Sequence, residues 1–158
     1  MDRKFVDVNA IAVFLDESHV GHPYVRSALR QGLEGTFQIV LASYLLLRAR
    51  WVLVSQWGVP GPDADRAVAA LARLRFPRYV DGDGAVVVRA IELSRELPHD
   101  VYDCFLVALA ENGEATHLVT TDAGLRRVCE KVGIRYENPI PRKVLAQFGA
   151  TGRRSSGT

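Results

Sequence analysis

Short β-type segments alternate with helical segments along most of this 158-residue chain. Runs of β-branched and aromatic residues predict strands near residues 4–8, 36–41, 78–80, 117–121 and 134–136. Apolar residues at helical spacing fill the stretches between these strands. Such alternation is typical of parallel strands joined by crossover helices. We therefore expect an α/β fold, a three-layer α/β/α sandwich around a central, mostly parallel sheet of four to five short strands.

The helical segments have recognisable ends. Ser43 is a fair N-cap for a helix that we expect to reach Trp57, and Gly58 follows it. Residues 101–111 are apolar on nearly every side, so that helix is predicted to be buried. Further helices are expected near residues 10–15, 24–33, 62–76, 86–97 and 123–132.

The composition fits one globular domain. Apolar residues make up 48% of the chain and charged residues 24%, and no apolar run approaches the ~20 residues of a membrane-spanning helix. Two cysteines, Cys104 and Cys129, are too few for a disulfide scaffold, and no export signal is recognisable. We expect a cytoplasmic protein with one domain at residues 1–148 and a disordered basic tail at residues 149–158.

The charge is unevenly distributed. Residues 1–122 have a net charge of −4 and residues 123–158 a net charge of +6. A basic C-terminal part attracts nucleic acid or an acidic partner, although an ordinary solvated surface is an equal alternative. Arg126, Arg127 and Lys131 are weak candidates for RNA phosphate contacts.

Three aspartates lie where a parallel sheet collects its ligands, outside the carboxyl ends of strands. Asp7 lies near the end of the first predicted strand, and Asp122 follows the fourth. Asp103 lies in the first turn of the buried helix. An unpaired buried carboxylate is costly, and a divalent cation relieves the repulsion between several of them.

Each acid also has a structural alternative. Asp122 is placed to cap the helix that follows it, and Asp103 to complement a helix dipole. His99, beside Asp100, is either a proton shuttle or, more commonly for a loop histidine, a surface residue. Asp100 is either a replacement acid for the site, three residues before Asp103, or, more commonly for a loop residue, a helix cap. The ordered set of three acids nevertheless favours a site.

The chain resembles PIN-domain proteins of the VapC toxin type over about residues 4–138. Residues 5–9 (Phe-Val-Asp-Val-Asn) resemble the opening motif of that family. Residues 101–110 (Val-Tyr-Asp-Cys-Phe-Leu-Val-Ala-Leu-Ala) resemble its Val-Tyr-Asp helix, and residues 118–125 (Leu-Val-Thr-Thr-Asp-Ala-Gly-Leu) its closing Val-Thr-x-Asp motif. The resemblance implies a Mg²⁺- or Mn²⁺-dependent endoribonuclease, dimeric, and held inactive by an antitoxin protein.

The resemblance also implies roles for individual residues. Asp7, Asp103 and Asp122 would be the catalytic, metal-binding acids. Asn9 would support Asp7 by a hydrogen bond, and Thr120 would orient the site from its strand end.

One element of the family pattern is missing. The family has a glutamate in the helix after the second strand, but this chain has no acid between Glu34 and Asp63. Arg48 stands closest to the glutamate position, and we expect it to point at Asp7 and Asp103 in place of a metal; the alternative is that it extends to the surface. Two functions follow from this departure: a toxin endoribonuclease that works with three acids, or a catalytically degenerate domain that binds RNA or protein.

Overall fold

A computed structural model describes residues 1–147. In this range five strands form one sheet in the order β3–β2–β1–β4–β5, and every neighbouring pair is parallel. The predicted sheet is therefore confirmed. The strands are β1 (Arg3–Val6), β2 (Gln38–Leu41), β3 (Arg78–Tyr79), β4 (His117–Val119) and β5 (Arg135–Glu137).

Eight α-helices flank the sheet within residues 1–147. They are α1 (Val8–Leu15), α2 (His22–Leu33), α3 (Ser43–Trp51), α4 (Gly61–Ala72), α5 (Gly84–Glu96), α6 (Val101–Asn112), α7 (Arg126–Val132) and α8 (Arg142–Leu145). A π-helical segment, Val52–Gln56, extends α3, and a 3-10 turn, Ala123–Leu125, precedes α7.

The chain reverses its direction across the sheet between β1 and β4. It first proceeds from β1 to β2 and β3, and then returns to β4 and β5 on the other side of β1. Right-handed crossovers put the helices before and after such a reversal on opposite faces of the sheet. Accordingly, α1–α4 pack with one another, and α5–α7 form a second packed group. The reversal leaves a crevice at the carboxyl ends of β1 and β4.

The core explains why the elements form as they do. Phe5 on β1 and Leu118 on β4 are fully buried, as expected for central strands covered on both faces. Helix α6 is buried from Leu106 to Ala110, whereas Val101 and Tyr102 at its start are exposed, so the predicted burial holds for the middle of the helix and not for its first turn. Cys104 and Cys129 are free thiols inside the core.

Several predicted boundaries were wrong. Strand β1 ends at Val6 because Asp7 caps α1, accepting a 2.6 Å hydrogen bond from the Val8 backbone N–H. Ser43 is not the N-cap of α3: that position is Ala42, which makes no side-chain cap, and Ser43 Oγ instead lies 3.0 Å from Asp81 Oδ1. The sequence analysis also missed the short helix α8.

The predicted tail at residues 149–158 lies outside the described residues, so the domain boundary remains a prediction. Among the helices of residues 1–147, none is both long and apolar enough to span a membrane.

Candidate active site

The crevice between β1 and β4 brings Asp7, Thr120 and Asp122 together. Asp7 follows β1 directly, and its backbone N–H donates to Val119 O at 2.9 Å, so the two strands stay paired up to the site. Thr120 Oγ1 donates to Asp7 Oδ2 at 2.7 Å. Thr120 Oγ1 also accepts a 3.1 Å hydrogen bond from the Asp122 backbone N–H. One hydroxyl group therefore connects the ends of both strands.

Asp7 is a buried carboxyl group in a field of other acids. Its residue is 2% exposed, and burial raises its pKa to about 6. The hydrogen bonds from Thr120 and Val8 oppose this rise, whereas the charges of Asp122 and Asp103 add to it. The three predicted acids are thus close enough to destabilise each other's ionised form.

Asp103 is positioned by the start of α6. Asp100 caps this helix by accepting hydrogen bonds from the backbone N–H groups of Tyr102 (2.9 Å) and Asp103 (3.3 Å), as the sequence predicted. The Asp103 side chain is 32% exposed, and its Oδ2 lies 3.2 Å from His99 Nε2. Burial, followed by the charge of Asp122, raises the pKa of Asp103, and the neighbouring His99 opposes that rise.

Asp122 caps a turn and also faces the site. Its Oδ1 accepts a 2.8 Å hydrogen bond from the Gly124 backbone N–H, so the expected capping role is present. A Cβ atom on Gly124 would lie 3.1 Å from that oxygen and 3.8 Å from His99 Cε1. The absence of a side chain at Gly124 therefore lets Asp122 and the His99–Asp103 pair share one side of the crevice.

Two supporting residues differ from expectation. Within residues 1–147 the Asn9 side chain makes no hydrogen bond to Asp7, whose oxygens accept instead from the Thr120 hydroxyl and the Val8 backbone N–H. His99, to which the sequence analysis gave little weight, contacts Asp103. The one feature of the sequence that indicates this contact is that His99 lies four residues before Asp103, just ahead of the start of α6.

Arg48 is near the site but does not pair with its acids. The Arg48 guanidinium lies 4.7 Å from the centre of the Trp51 ring and is exposed. Among residues 1–147 it forms no ion pair with Asp7 or Asp103, so the predicted pairing is not observed. It does line a cavity of about 490 Å³ together with Asp103.

The basic candidates lie on α7, which begins one turn after Asp122. The Arg126 guanidinium stacks 4.7 Å from the Tyr136 ring centre, and Arg127 is exposed. Lys131 Nζ lies 3.4 Å from Glu96 Oε2, which neutralises part of its charge. A role for these residues in RNA binding remains a prediction.

The donor chemistry of the site suits a hard cation, but the side chains are not yet arranged around one. Carboxylate oxygens are the ligands that Mg²⁺ and Mn²⁺ prefer. Yet no group of three or more His, Cys, Asp or Glu side chains in residues 1–147 is arranged to hold a metal ion as it stands. Asp103 Oδ1 and Asp122 Oδ2 accept no hydrogen bond within that range, so these two oxygens remain available as metal ligands.

Comparisons with known proteins agree with this architecture. The fold matches VapC20 of Mycobacterium tuberculosis, a toxin that cleaves the sarcin–ricin loop, with a TM-score of 0.63, 16% identity, and 79% of this chain and 94% of that chain covered. It also matches VapBC2 of Rickettsia felis bound to a DNA fragment from their promoter, with a TM-score of 0.64, 13% identity, and 86% of this chain and 98% of that chain covered. No curated protein sequence gives a significant match. The model of the PIN domain family matches residues 4–131, from β1 to the end of α7, and so the chain belongs to the PIN-domain family.

Proposed function

We propose that this protein is a metal-dependent endoribonuclease, the toxin of a bacterial toxin–antitoxin pair. The observation that carries the proposal is that buried Asp7 is joined to Asp122 through the Thr120 hydroxyl at the strand ends, with Asp103 near enough for its charge to act on Asp7. Three acids that repel one another at the switch point of a parallel sheet either take up a proton or are stabilised by a bound cation, and above pH 6 a cation is the effective partner. Membership of the PIN-domain family and the shared fold with VapC20 support the same activity.

Asp7, Asp103 and Asp122 would hold Mg²⁺ or Mn²⁺. The fit is good in donor type and in charge, and it requires the partly exposed Asp103 and Asp122 side chains to rotate towards Asp7. When bound, a divalent cation would neutralise the acids, stabilise charge on a phosphate and activate water for hydrolysis.

The other residues prepare these acids. The Thr120 hydroxyl donates to Asp7 Oδ2 and thereby favours the carboxylate over the neutral acid. His99 fixes one oxygen of Asp103, which leaves the other to turn into the crevice. Arg126 and Arg127, one turn beyond Asp122, would contact phosphates of the RNA backbone and give salt-dependent binding.

The second candidate is a catalytically degenerate domain that binds RNA or protein. Two observations favour it. Arg48 takes the place where the sequence analysis expected a family glutamate, and no preformed metal cluster occurs within the part of the chain that the structure describes. Metal binding and cleavage separate the two candidates.

The partners follow from the toxin proposal. An antitoxin protein is supported by the fold shared with VapBC2. A groove of about 790 Å³ among α1, α2 and α4, whose lining is mainly apolar but includes Glu17, Arg26 and Arg30, is a suitable place for it. A homodimer is supported by three exposed aliphatic residues on α5, Val87, Val88 and Ile91. The RNA substrate of this proposal implies a cytoplasmic protein.

Incubation with total bacterial RNA tests the proposal. Wild-type protein with Mg²⁺ or Mn²⁺ should produce discrete new 5′ ends, mapped by primer extension, and chelation should abolish them. Asp103→Asn, which keeps the shape of the side chain, should fold normally and cleave at least a hundredfold more slowly. Cleavage that survives in Asp103→Asn, or wild-type cleavage that is unaffected by chelation, would contradict the assigned site.

A further inference from the structure

The cavity shared by Arg48 and Asp103 has the chemistry of a nucleotide site. Its volume is about 490 Å³, within the range of pockets that hold one small ligand. Tyr44, Arg48, Tyr102 and Asp103 provide its polar and aromatic lining, and three aliphatic side chains complete it. It opens next to the acids of the active site, because Asp103 belongs to both.

Arg48 is prepared to bind an anion. Its guanidinium stacks on Trp51, and no ion pair with an acid occupies it within residues 1–147. An arginine packed over an aromatic ring can still make a planar, two-point contact with a phosphate through its N–H groups. Tyr44 lines the same cavity. Burial raises the pKa of its phenol group, the charge of Asp7 raises it further and Arg48 lowers it, so the phenol lies near both charged groups.

Trp51 contacts the guanidinium, and two more aromatic side chains, Tyr44 and Tyr102, line the cavity with Arg48. Tyr102 is 79% exposed, and Trp51 and Tyr44 are 44% and 42% exposed. Large exposed rings clustered at one place are characteristic of a binding surface. Base stacking on such rings contributes about 1–3 kcal/mol per base and accepts any base, provided that the base is not already stacked in a duplex.

We propose that this cavity binds one nucleotide of a single-stranded RNA, with Arg48 on its phosphate and Tyr102 against its base. The proposal rests on the proposed function, because it places this nucleotide beside the bond to be cleaved. The arginine replaces an acid that the rest of the family pattern led us to expect. In this chain a phosphate-binding group at the rim of the site therefore stands where the family pattern has a carboxylate in the site.

Fluorescence anisotropy with a labelled pool of random 12-nucleotide RNA strands tests the proposal. The buffer contains a chelator, so binding is measured without cleavage. Arg48→Glu should weaken binding at least tenfold and reduce the salt slope by about one. Tyr102→Ala should weaken binding severalfold and leave the slope unchanged. Arg48→Lys should recover part of the affinity.

Arg73→Glu is the matched control. Arg73 is exposed at the end of α4, lines no part of this cavity and gives the same change in net charge. An affinity equal to wild type in Arg48→Glu, or an equal loss in Arg48→Glu and Arg73→Glu, would overturn the proposal. So would wild-type protein that fails to bind the strands, or tighter binding to an RNA duplex than to the single strands. If Arg48→Glu disrupted only assembly with a protein partner, the surface would belong to that partner instead.

The outcomes also separate this proposal from the nuclease proposal. Metal-dependent cleavage by wild type with unchanged RNA affinity in Arg48→Glu contradicts the cavity assignment alone. Arg48-dependent RNA binding without any cleavage or metal binding supports the cavity and contradicts the nuclease.

Discussion

Thr120 Oγ1 donates a 2.7 Å hydrogen bond to Asp7 Oδ2, joining residues that are 113 positions apart in the chain. This hydrogen bond is buried, and it lies between the ends of β1 and β4, where the chain reverses its direction across the sheet. It holds Asp7 in one orientation and favours its ionised form. The site therefore depends on a neutral hydroxyl group as well as on its acids.

Thr120→Val should destabilise the protein by about 1–3 kcal/mol at pH 7.5, because it keeps the side-chain shape but leaves a buried carboxylate and the Asp122 backbone N–H without this partner. Urea unfolding measures the change. Thr120→Ser keeps the hydroxyl and is the control. A Val variant as stable as wild type at this pH would show that the bond contributes nothing.

Asp7→Asn should be more stable than wild type at neutral pH and inactive. The pKa of Asp7 is about 6 in the folded chain, against an ordinary value of 3.8, so the folded state holds the proton more tightly. The stability that the folded state gains by holding this proton on Asp7 is complete below pH 4. It is lost as the pH rises through 6, by about 3 kcal/mol in total.

Urea unfolding in chelator between pH 4 and 8 measures this effect. The advantage of Asp7→Asn should be small near pH 4 and reach about 1–3 kcal/mol at pH 7.5. An advantage that does not grow over this interval would mean that burial does not raise the pKa of Asp7.

His99→Leu should raise the pKa of Asp103 further, because it removes both the electrostatic influence of His99 and its side-chain hydrogen bond, which favour the carboxylate. Carboxyl ¹³C NMR titration of the metal-free protein gives the pKa directly. Asp65, whose pKa is lowered by its hydrogen bond with Arg50, is the internal reference in the same spectra. An unchanged Asp103 titration would show that the contact with His99 is not maintained in solution.

Arg48→Glu should increase the affinity for Mn²⁺ about tenfold, since it removes a positive charge and adds a carboxylate in the cavity that Asp103 lines. Arg48→Gln removes the charge without adding a ligand, and should give a smaller gain. Equal affinities in all three proteins, measured by calorimetry, would show that residue 48 does not influence the metal site.

The sheet was predictable from sequence because the alternation of β-type and helical segments admits few arrangements. The burial of the middle of α6 and the cap at Asp100 were also predictable, since an aspartate directly before an apolar helical segment is a favourable N-cap. Boundaries were less predictable where one side chain serves two purposes. The sequence predicts Asp7 to lie in a strand, but it is the N-cap of α1. The sequence predicts Ser43 to be a helix cap, but its hydroxyl donates to Asp81.

The site was partly predictable. The positions of Asp7 and Asp122 follow from the strand ends, whereas the direction of each side chain depends on contacts that no local pattern contains. Asn9 is adjacent to the site in sequence, yet the distant Thr120 provides the hydrogen bond. Arg48 likewise stacks on Trp51, a neighbour three residues along its own helix, rather than reaching the acids.

Calorimetric titration of Mn²⁺ and Mg²⁺ into wild type and Asp103→Asn tests the central claim most directly, because it does not require the correct RNA. The account predicts binding to wild type at micromolar to millimolar metal, and loss of at least tenfold in affinity in Asp103→Asn, with the folded structure retained. Absence of binding to wild type at millimolar metal, or equal binding to both proteins, would contradict a metal site formed by Asp7, Asp103 and Asp122.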